Sequence, residues 1–341
     1  MNMANAATVR KAQFNGADAF ALKVAGWLFS SARPWPKKQR SPLAELRDVP
    51  MSDTAQTLLD LLDLEVLDRH LFRGSGSGGE TPLRIYGGQV IAQALKAAYS
   101  TVSNRLCHSL HAYFIRPGDP SRPVIYEVDP ARDGRSFTTR RVVAMQNGKQ
   151  ILNLAASFHE AEPGWDHQHA MPEVPPPHGL ESRHDILLRN ASRVPEERRK
   201  EFTRERPFEL REVEPRDPLT PEKTSDVNNM WVRMAAAKGA DPALQHILMA
   251  YVSDFGLLGS SMRPHGLTFH NPAAMTASLD HAMWFHAPVQ LENWHLYSMD
   301  APFTGNGRGF NRGAIYTENG QLVASVAQEG LLRPLKSAAT R

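Results

Sequence analysis

The sequence predicts an α+β protein built from two similar halves, each with one buried helix followed by antiparallel strands. Two apolar segments have helical spacing, short strand-like runs follow each of them, and asparagine–glycine pairs separate some neighbouring runs. The length of 341 residues suits two domains, and 41% hydrophobic with 22% charged residues is typical of a globular chain.

Composition and charge argue against several classes of function. The net charge of +3 is small for this length, and many basic residues fall in 33–47 and 189–206, so we expect no nucleic-acid partner. Cys107 is the only cysteine, which excludes an intrachain disulfide and a multi-cysteine metal site and fits the reducing cytoplasm. The longest apolar run, near Phe20–Phe29, is interrupted by Lys23 and is too short for stable membrane insertion.

Residues 1–50 form a basic, acid-poor segment that contains the helix-breaking stretch Ser31-Ala-Arg-Pro-Trp-Pro36. A targeting leader and a disordered extension both fit this composition, and we expect the extension. Met51 looks like a natural start, because Ser52 or Asp53 can cap a helix over Thr57–Leu64.

The first half is predicted to be an edge strand, a flexible loop, a buried helix and four strands. Glu65–Phe72 is the edge strand, and the glycine-rich stretch Ser75–Gly79 is the loop. Tyr86–Tyr99 has helical apolar spacing and many alanines, so this helix can be buried on nearly every side. Gly87 and Gly88 at its start permit close backbone approach and leave N–H groups for an anion or oxyanion. The strands are Cys107–Arg116, Pro123–Val128, Arg135–Gln146 and Gln150–Phe158, with Asn147-Gly148 as a tight hairpin turn.

The middle of the chain reads as a linker with a surface helix. Met171–His178 is rich in proline and therefore extended, and Asp185–Arg199 has the composition of a charged helix. The basic residues of this region could bind phosphate groups, although a solvated helix face is the favoured interpretation. These residues are Arg189, Arg193, Arg198, Arg199 and Arg204.

The second half repeats the first at a nearly constant spacing along the chain. Asp133-Gly-Arg-Ser-Phe137 answers to Asn306-Gly-Arg-Gly-Phe310, and His111–Pro117 answers to Ala282–Pro288. The apolar helix Ala243–Leu258 takes the place of the first buried helix. The repeat predicts a tandem duplicate whose halves pack as a pseudo-symmetric pair. If their sheets join edge to edge, each half protects the exposed strand of the other, and sites in such duplicates often lie at the junction.

The second copy differs from the first by polar residues at core-like positions. Asp254 lies among apolar helix residues, Gln328 stands where the first copy has Ala156, and the histidine-rich strand Ser278–Pro288 begins with a serine. A buried carboxylate is costly unless it is paired, which favours a functional role. Two simpler interpretations remain open: Asp254 ends its helix, or Gln328 faces solvent. The sequence pattern alone does not show that these residues converge.

The motifs resemble those of the acyl-CoA thioesterase II family. They span residues 57–334 in the family's order and include Tyr86-Gly-Gly-Gln-Val90, Tyr251-Val-Ser-Asp-Phe255, Leu279–His286 and Ala327-Gln-Glu-Gly330. The resemblance implies a double hotdog fold, in which each of two antiparallel sheets wraps one long helix. With this fold we expect an N-terminal hotdog at 51–165, a linker with a surface helix at 166–205, a C-terminal hotdog at 206–335 and a tail at 336–341. Residues 1–50 have no counterpart in the family, and we expect them to be a disordered extension.

The resemblance also implies hydrolysis of medium- to long-chain acyl-CoA by a water that Asp254, Ser278 and Gln328 hold. Serine stands at 278 where the family pattern has threonine, which keeps the hydroxyl but loses the stiffer side chain. The candidate substrate-binding residues are Gly87 and Gly88, with Phe255, Met283 and Trp284 for an apolar acyl tunnel. The alternative for most of these apolar residues is a place in the core. We expect no metal and no bound cofactor. We expect the protein to form a homo-oligomer, either a dimer or a tetramer.

Two other functions remain alternatives at this point. A degraded site would leave an acyl-CoA sensor that binds without hydrolysis. A hotdog hydratase would need a catalytic histidine in a hydratase-type motif, for which His281 is the nearest candidate.

Overall fold

A computed structural model describes residues 52–76, 84–270 and 273–335 of the chain. The expectations for residues 1–50, for most of the Ser75–Gly79 loop and for the tail 336–341 lie outside these ranges. The helices are α1 (Asp53–Leu62), α2 (Gly87–Tyr99), α3 (Arg183–Arg189), α4 (Glu196–Phe202), α5 (Pro242–Ser253) and α6 (Gly259–Met262). The first-half strands are β1 (Glu65–Asp68), β2 (Leu71–Gly74), β3 (Leu106–Phe114), β4 (Val124–Asp133), β5 (Phe137–Gln146) and β6 (Lys149–His159). The later strands are β7 (Glu209–Glu212), β8 (Asn228–Arg233), β9 (Ala274–Ser278), β10 (Asp280–Phe285), β11 (His295–Gly305), β12 (Arg308–Thr317) and β13 (Leu322–Pro334).

These 13 strands form one antiparallel sheet, which confirms the predicted α+β class. The order is β1-β2-β4-β5-β6-β3-β10-β13-β12-β11-β8-β7, with β9 pairing with β13. Counted outward from the contact between β3 and β10, the two halves have the same strand order. At that contact Leu110 lies opposite Met283 and Ala112 lies opposite His281. The halves therefore join edge to edge, and each covers one edge strand of the other.

The first elements follow from their capping residues. Ser52 caps α1 by accepting a hydrogen bond from the Ala55 N–H, so this helix begins four residues earlier than the apolar spacing predicts. The predicted single edge strand is instead the hairpin of β1 and β2, because the chain turns at Arg69 and His70. The loop between β5 and β6 is the predicted tight turn, with Asn147 at φ 49° and Gly148 at φ 68°.

The two buried helices lie antiparallel against the same face of the sheet. The hydroxyl of Tyr99, at the end of α2, lies 3.1 Å from Nδ1 of His246 in α5. At the other end, the Tyr86 hydroxyl donates a hydrogen bond of 3.1 Å to the carbonyl oxygen of Tyr251. The C-terminal end of α5 therefore lies beside the N-terminal end of α2. Both helices are buried on nearly all sides.

Two predicted elements are broken in the structure. The strand predicted over Ser278–Pro288 is two strands, because Leu279 leaves the ladder between β9 and β10: its N–H donates to Glu329 and its carbonyl accepts from Phe114. The helix predicted over Asp185–Arg199 is likewise two short helices, α3 and α4, separated before Pro195, which lacks an N–H donor.

The predicted linker is extended, but it is packed rather than loose. Met171, Val174 and Leu180 lie against a second cluster of buried side chains, and the indole N–H of Trp231 donates a hydrogen bond of 2.9 Å to the carbonyl of Pro175. Met230 and Val232, the strand neighbours of Trp231, point into the main core with α5. The linker therefore covers the opposite face of the second half's sheet. Across the described ranges, no helix is both long and apolar enough to cross a membrane.

Candidate active site

The carboxylate of Asp254 is the centre of a polar cluster at the junction of the two halves. Its Oδ1 accepts hydrogen bonds from Nε2 of Gln328 at 2.6 Å and from the hydroxyl of Ser278 at 3.4 Å. Its Oδ2 accepts one from the Gly88 N–H at 3.0 Å. The structure therefore brings the three predicted catalytic side chains together and adds a backbone donor from the first half.

Strand register directs two of these side chains toward the carboxylate. Gln328 is fully buried on β13, on the face of the sheet that packs against the helices. Ser278 is the last residue of β9 and pairs with Gly330 two positions further along β13. A Cβ atom at Gly330 would lie 2.4 Å from a methyl group of Leu258, so a larger residue there would displace the Leu258 side chain of the loop after α5.

Asp254 lies between the ends of two helix dipoles. It is the C-terminal cap of α5, where the dipole disfavours a negative charge. The N-terminal end of α2, which supplies the Gly88 N–H, favours a negative charge at the same place. The antiparallel packing of the helices thus offsets the cost of a carboxylate at this position. Both interpretations of Asp254 apply: it ends helix α5, and it also accepts the hydrogen bonds that hold the polar cluster together.

Close backbone approach at the start of α2 requires its two glycines. A Cβ atom at Gly88 would lie 2.2 Å from the Tyr251 carbonyl oxygen, and one at Gly87 would lie 2.7 Å from Oδ2 of Asp254. The sequence predicts that N–H groups here await an anion. In the structure the anion at Gly88 is the carboxylate of the protein itself.

The last turn of α5 is held by side chains that the sequence analysis did not identify. The Tyr297 hydroxyl donates a hydrogen bond of 2.6 Å to the carbonyl of Ser253, and burial together with the Asp254 charge raises the pKa of Tyr297, so the phenol keeps its proton. The Ser253 hydroxyl donates to the Ala250 carbonyl and also lies 2.9 Å from Nε2 of His281. These contacts satisfy carbonyl groups that a helix end leaves open and fix the position of Asp254.

His281 acts in this cluster as a hydrogen-bond donor rather than as a base. Burial lowers the pKa of His281, although the nearby Asp254 charge opposes this, so the imidazole is neutral at pH 7. Because the Ser253 hydroxyl proton is already directed to Ala250, Nε2 of His281 carries the proton between the two side chains.

Gln328 presents a second, unused acceptor in the cluster. Its Oε1 atom is buried and has no hydrogen-bond partner among the described residues. A buried acceptor without a partner is costly, which marks the position as one where a small donor would bind favourably. The backbone beside it is well held, because Asn311 donates to the Gln328 carbonyl and the Asp280 carboxylate accepts from the Glu329 N–H at 2.7 Å.

The structure separates the remaining predicted substrate-binding residues. Phe255 follows Asp254 and lines a small cavity, with the guanidinium of Arg206 located 5.2 Å from its ring centre. Met283 is fully buried in the main core. Trp284 points to the opposite face of the sheet, where its ring meets His111 edge-on at 5.2 Å, because neighbouring residues of a strand alternate between faces. Trp284 therefore lies outside the Asp254 cluster, and its part in substrate binding stays a prediction.

Comparison with known proteins agrees with this architecture. A profile described as acyl-CoA thioesterase matches residues 197–331, and one described as acyl-CoA thioesterase N-terminal domain matches residues 79–159. Acyl-CoA thioesterase 2 of Haemophilus influenzae is 37% identical over 285 residues, which cover 83% of this chain and 99% of that protein. Human acyl-coenzyme A thioesterase 8 is 39% identical over 298 residues, covering 84% and 92% respectively.

Solved structures show the same relationship. The acyl-CoA thioesterase II from Mycobacterium marinum has a TM-score of 0.67 at 38% identity, over 82% of this chain and 99% of that one. A protein with a hot dog fold from Alicyclobacillus acidocaldarius has a TM-score of 0.65 at 20% identity, over 82% and 98%. The sheet and its helices therefore have the hotdog type of fold. With relatives above 30% identity matched over nearly their whole length, this chain belongs to the acyl-CoA thioesterase II family.

Proposed function

We propose that the protein hydrolyses medium- to long-chain acyl-CoA to the free fatty acid and CoA by direct attack of water. The observation that carries the proposal is the Asp254 carboxylate with Gln328 and Ser278 hydrogen-bonded to it at 2.6 and 3.4 Å. Membership of the thioesterase family supports the substrate class. We assign the fold as a double hotdog with halves at 51–165 and 206–335.

The cluster has the groups needed to orient a water molecule. A water bound beside Asp254 donates one proton to the carboxylate and the other to Oε1 of Gln328, the buried acceptor left open. The Ser278 hydroxyl supports this geometry from the other side. With both protons held, a lone pair of the water points outward to the thioester carbonyl, and this positioning lowers the barrier.

The chemical step uses Asp254 as general base. As the water oxygen bonds to the carbonyl carbon, its proton passes to the carboxylate and negative charge develops on the carbonyl oxygen. The N-terminal end of α2, whose Gly88 N–H is already bound to Asp254, stabilises that charge through its helix dipole. The carbon–sulfur bond then breaks, and the proton on Asp254 passes to the thiolate of CoA, which restores the carboxylate.

Assembly and location complete the proposal. We propose a homo-oligomer, dimer or tetramer, since the first half exposes large side chains on its outer sheet face, among them Tyr113 and Phe137. The single cysteine, Cys107, is buried and unpaired, which suits the cytoplasm.

Thiol release from decanoyl-CoA and palmitoyl-CoA tests the proposal. Free CoA thiol with stoichiometric fatty acid is the expected result, whereas binding without thiol release would mean a sensor and water addition to the chain would mean a hydratase. Direct water attack also requires that Ser278→Ala keeps measurable turnover and that no acyl adduct of the protein appears by intact mass. An acyl adduct on Ser278 would replace this mechanism by a covalent one.

A further inference from the structure

The break between β9 and β10 is a β-bulge that lies next to the Asp254 cluster. Ser278 pairs with Gly330 and Ala282 pairs with Ala327, so three residues on one side face two residues of β13 on the other. A bulge bends its strand and redirects the side chains beside it, and bulges are common next to active sites. This bulge begins directly after Ser278, whose hydroxyl donates a hydrogen bond of 3.4 Å to Asp254.

The side chain of Asp280 accepts a hydrogen bond that a main-chain carbonyl accepts in a regular ladder. Its Oδ1 accepts from the Glu329 N–H at 2.7 Å, while the Glu329 carbonyl accepts from the Leu279 N–H at 2.9 Å. At the other end of the same peptide unit, the Gln328 carbonyl accepts from Nδ2 of Asn311 at 3.3 Å. The peptide that follows Gln328 is therefore held at both of its polar atoms by side chains.

The first half has the same bulge but lacks the carboxylate. There the register between β3 and β6 shifts between Cys107 and Ser109. By the repeat along the chain, Cys107 answers to Ser278 and Ser109 answers to Asp280. A bulge of this kind thus forms without a carboxylate, and Asp280 occurs in the copy that carries Ser278 and Gln328. This distribution links the carboxylate to the site rather than to the bulge itself.

The Asp280 carboxylate is kept in this place at an electrostatic cost. Burial raises the pKa of Asp280 and the charge of Glu329 adds to this, whereas the hydrogen bond from the Glu329 N–H opposes it. Arg308 offsets the Glu329 charge, because its Nε donates a hydrogen bond of 2.8 Å to Oε1 of Glu329. An ionised carboxylate is a stronger acceptor for an N–H than a neutral oxygen, so this arrangement strengthens the bond to the strand.

We propose that Asp280 is a positioning residue that sets the placement of Gln328 and Ser278 around Asp254. This inference rests on the proposed hydrolysis and adds a support for two of its water-orienting groups. The carboxylate holds the peptide that follows Gln328, and the bulge that it closes begins directly after Ser278. Asp280 acts through the main chain and does not touch the reacting atoms. Because a displacement of about 1 Å at orienting groups costs up to about 10²-fold in rate, its loss should be visible in turnover.

The test removes the acceptor at this position and then restores it. Asp280→Ala should lower kcat for decanoyl-CoA by about 10–100-fold, the rate equivalent of one lost hydrogen bond to a charged group. KM should stay within about twofold of the wild type, because no substrate contact is removed. Asp280→Asn keeps an oxygen acceptor for the Glu329 N–H, so its kcat should lie within about threefold of the wild type. An equal loss in both variants would overturn the inference, because it would assign the effect to the charge.

A double-mutant cycle shows whether Asp280 acts through Gln328. In a Gln328→Ala background, Asp280→Ala should lower kcat by less than about twofold, since the effects of residues in one hydrogen-bonded network are not additive. The full loss in that background would overturn the inference, because Asp280 would then act on something other than Gln328. Ser109→Ala is the matched control at the corresponding position of the first half, and it should leave kcat and KM within about twofold of the wild type.

Urea unfolding of the same variants separates positioning from stability. Asp280→Ala should be fully folded under the conditions of the assay, so that its lower kcat reflects the site. If it does not fold, Asp280→Ser decides in its place, because serine is the residue of the first half and its hydroxyl is one bond shorter than a carboxylate. Absence of thiol release by the wild type would reject the proposed hydrolysis together with this role. Normal kcat in Asp280→Ala beside an active wild type would reject the role alone.

Discussion

Replacing Asp254 by asparagine separates the chemistry of the cluster from its architecture. The two side chains have nearly the same shape, so the change removes one oxygen acceptor and the charge while the helix ends stay in place. In the wild type Oδ1 accepts from Gln328 and Ser278, and Oδ2 accepts from Gly88. An asparagine has one oxygen, so either the Gly88 N–H or Nε2 of Gln328 must then face an NH₂ group.

The magnitudes follow from this geometry. One buried donor without a partner costs about 1–3 kcal/mol of unfolding free energy. Loss of a general base lowers the rate by about 10²–10⁴-fold, which corresponds to roughly 3–5 kcal/mol in the barrier. The catalytic loss should therefore exceed the loss of stability, and the variant should remain folded.

Two measurements on the same protein check this. Thiol release from decanoyl-CoA gives kcat and KM, and urea unfolding gives the free energy of unfolding. Asp300→Asn is the matched control: Asp300 pairs with Arg312 at the surface, and such pairs are worth about 0–1 kcal/mol. Turnover of Asp254→Asn within about threefold of the wild type would refute the role of the carboxylate, because general bases contribute far more.

Three further predictions concern the supports of the cluster and the buried helix α5. Gly88→Ala should lower the unfolding free energy by about 1–3 kcal/mol and reduce turnover, because the new Cβ would lie 2.2 Å from the Tyr251 carbonyl oxygen. Tyr297→Phe should lower the unfolding free energy by about 1–3 kcal/mol and reduce kcat, because the Ser253 carbonyl loses a buried donor next to Asp254. Burial lowers the pKa of His246 from 6.5 to about 4, so the unfolded chain binds more protons in this range. This histidine's contribution should be complete above pH 7 and fall by about 2 kcal/mol by pH 5 in urea titrations.

Each of these has a matched control. Gly179→Ala should be neutral, as no atom lies within 4 Å of a Cβ at that position, and an equal loss there would remove the steric argument. Tyr113→Phe changes an exposed phenol and should leave kcat unaltered. His246→Gln should flatten the stability profile between pH 7 and pH 5, and a wild-type slope in that variant would assign the effect to other groups.

The sequence predicts the repeat and the two buried helices because these follow from periodic patterns, although the second buried helix ends at Ser253 rather than at the predicted Leu258. Gly87–Tyr99 and the segment ending at Ser253 are apolar on nearly every side, and a helix of that kind must be buried. The Asn147-Gly148 turn is predictable for a similar reason, since both residues tolerate positive φ. These features depend on local chemistry, and the strands adjacent to the turn follow from it.

Features that depend on distant contacts are not predictable in this way. The break at Leu279 arises because its N–H and carbonyl bond to two different strands, one from each half. The polar and apolar alternation that predicts a strand from Ser278 puts Trp284 and Met283 on opposite faces, but it does not say which face packs against the helices. The hydrogen bond from the Tyr297 hydroxyl to Ser253 at the end of α5 joins residues that are 44 positions apart in the chain.

The role proposed for the cluster around Asp254 ties the function of each half to the other. Its hydrogen bonds come from Gly88 in one half and from Gln328 and Ser278 in the other. Under the proposed mechanism, neither half could be inherited or transplanted alone as a working catalyst, however well it folded. A chain cut within the linker would regain activity only as far as its fragments find each other again. Selection would then act on pairs of mutations at the junction of the two halves rather than on single mutations.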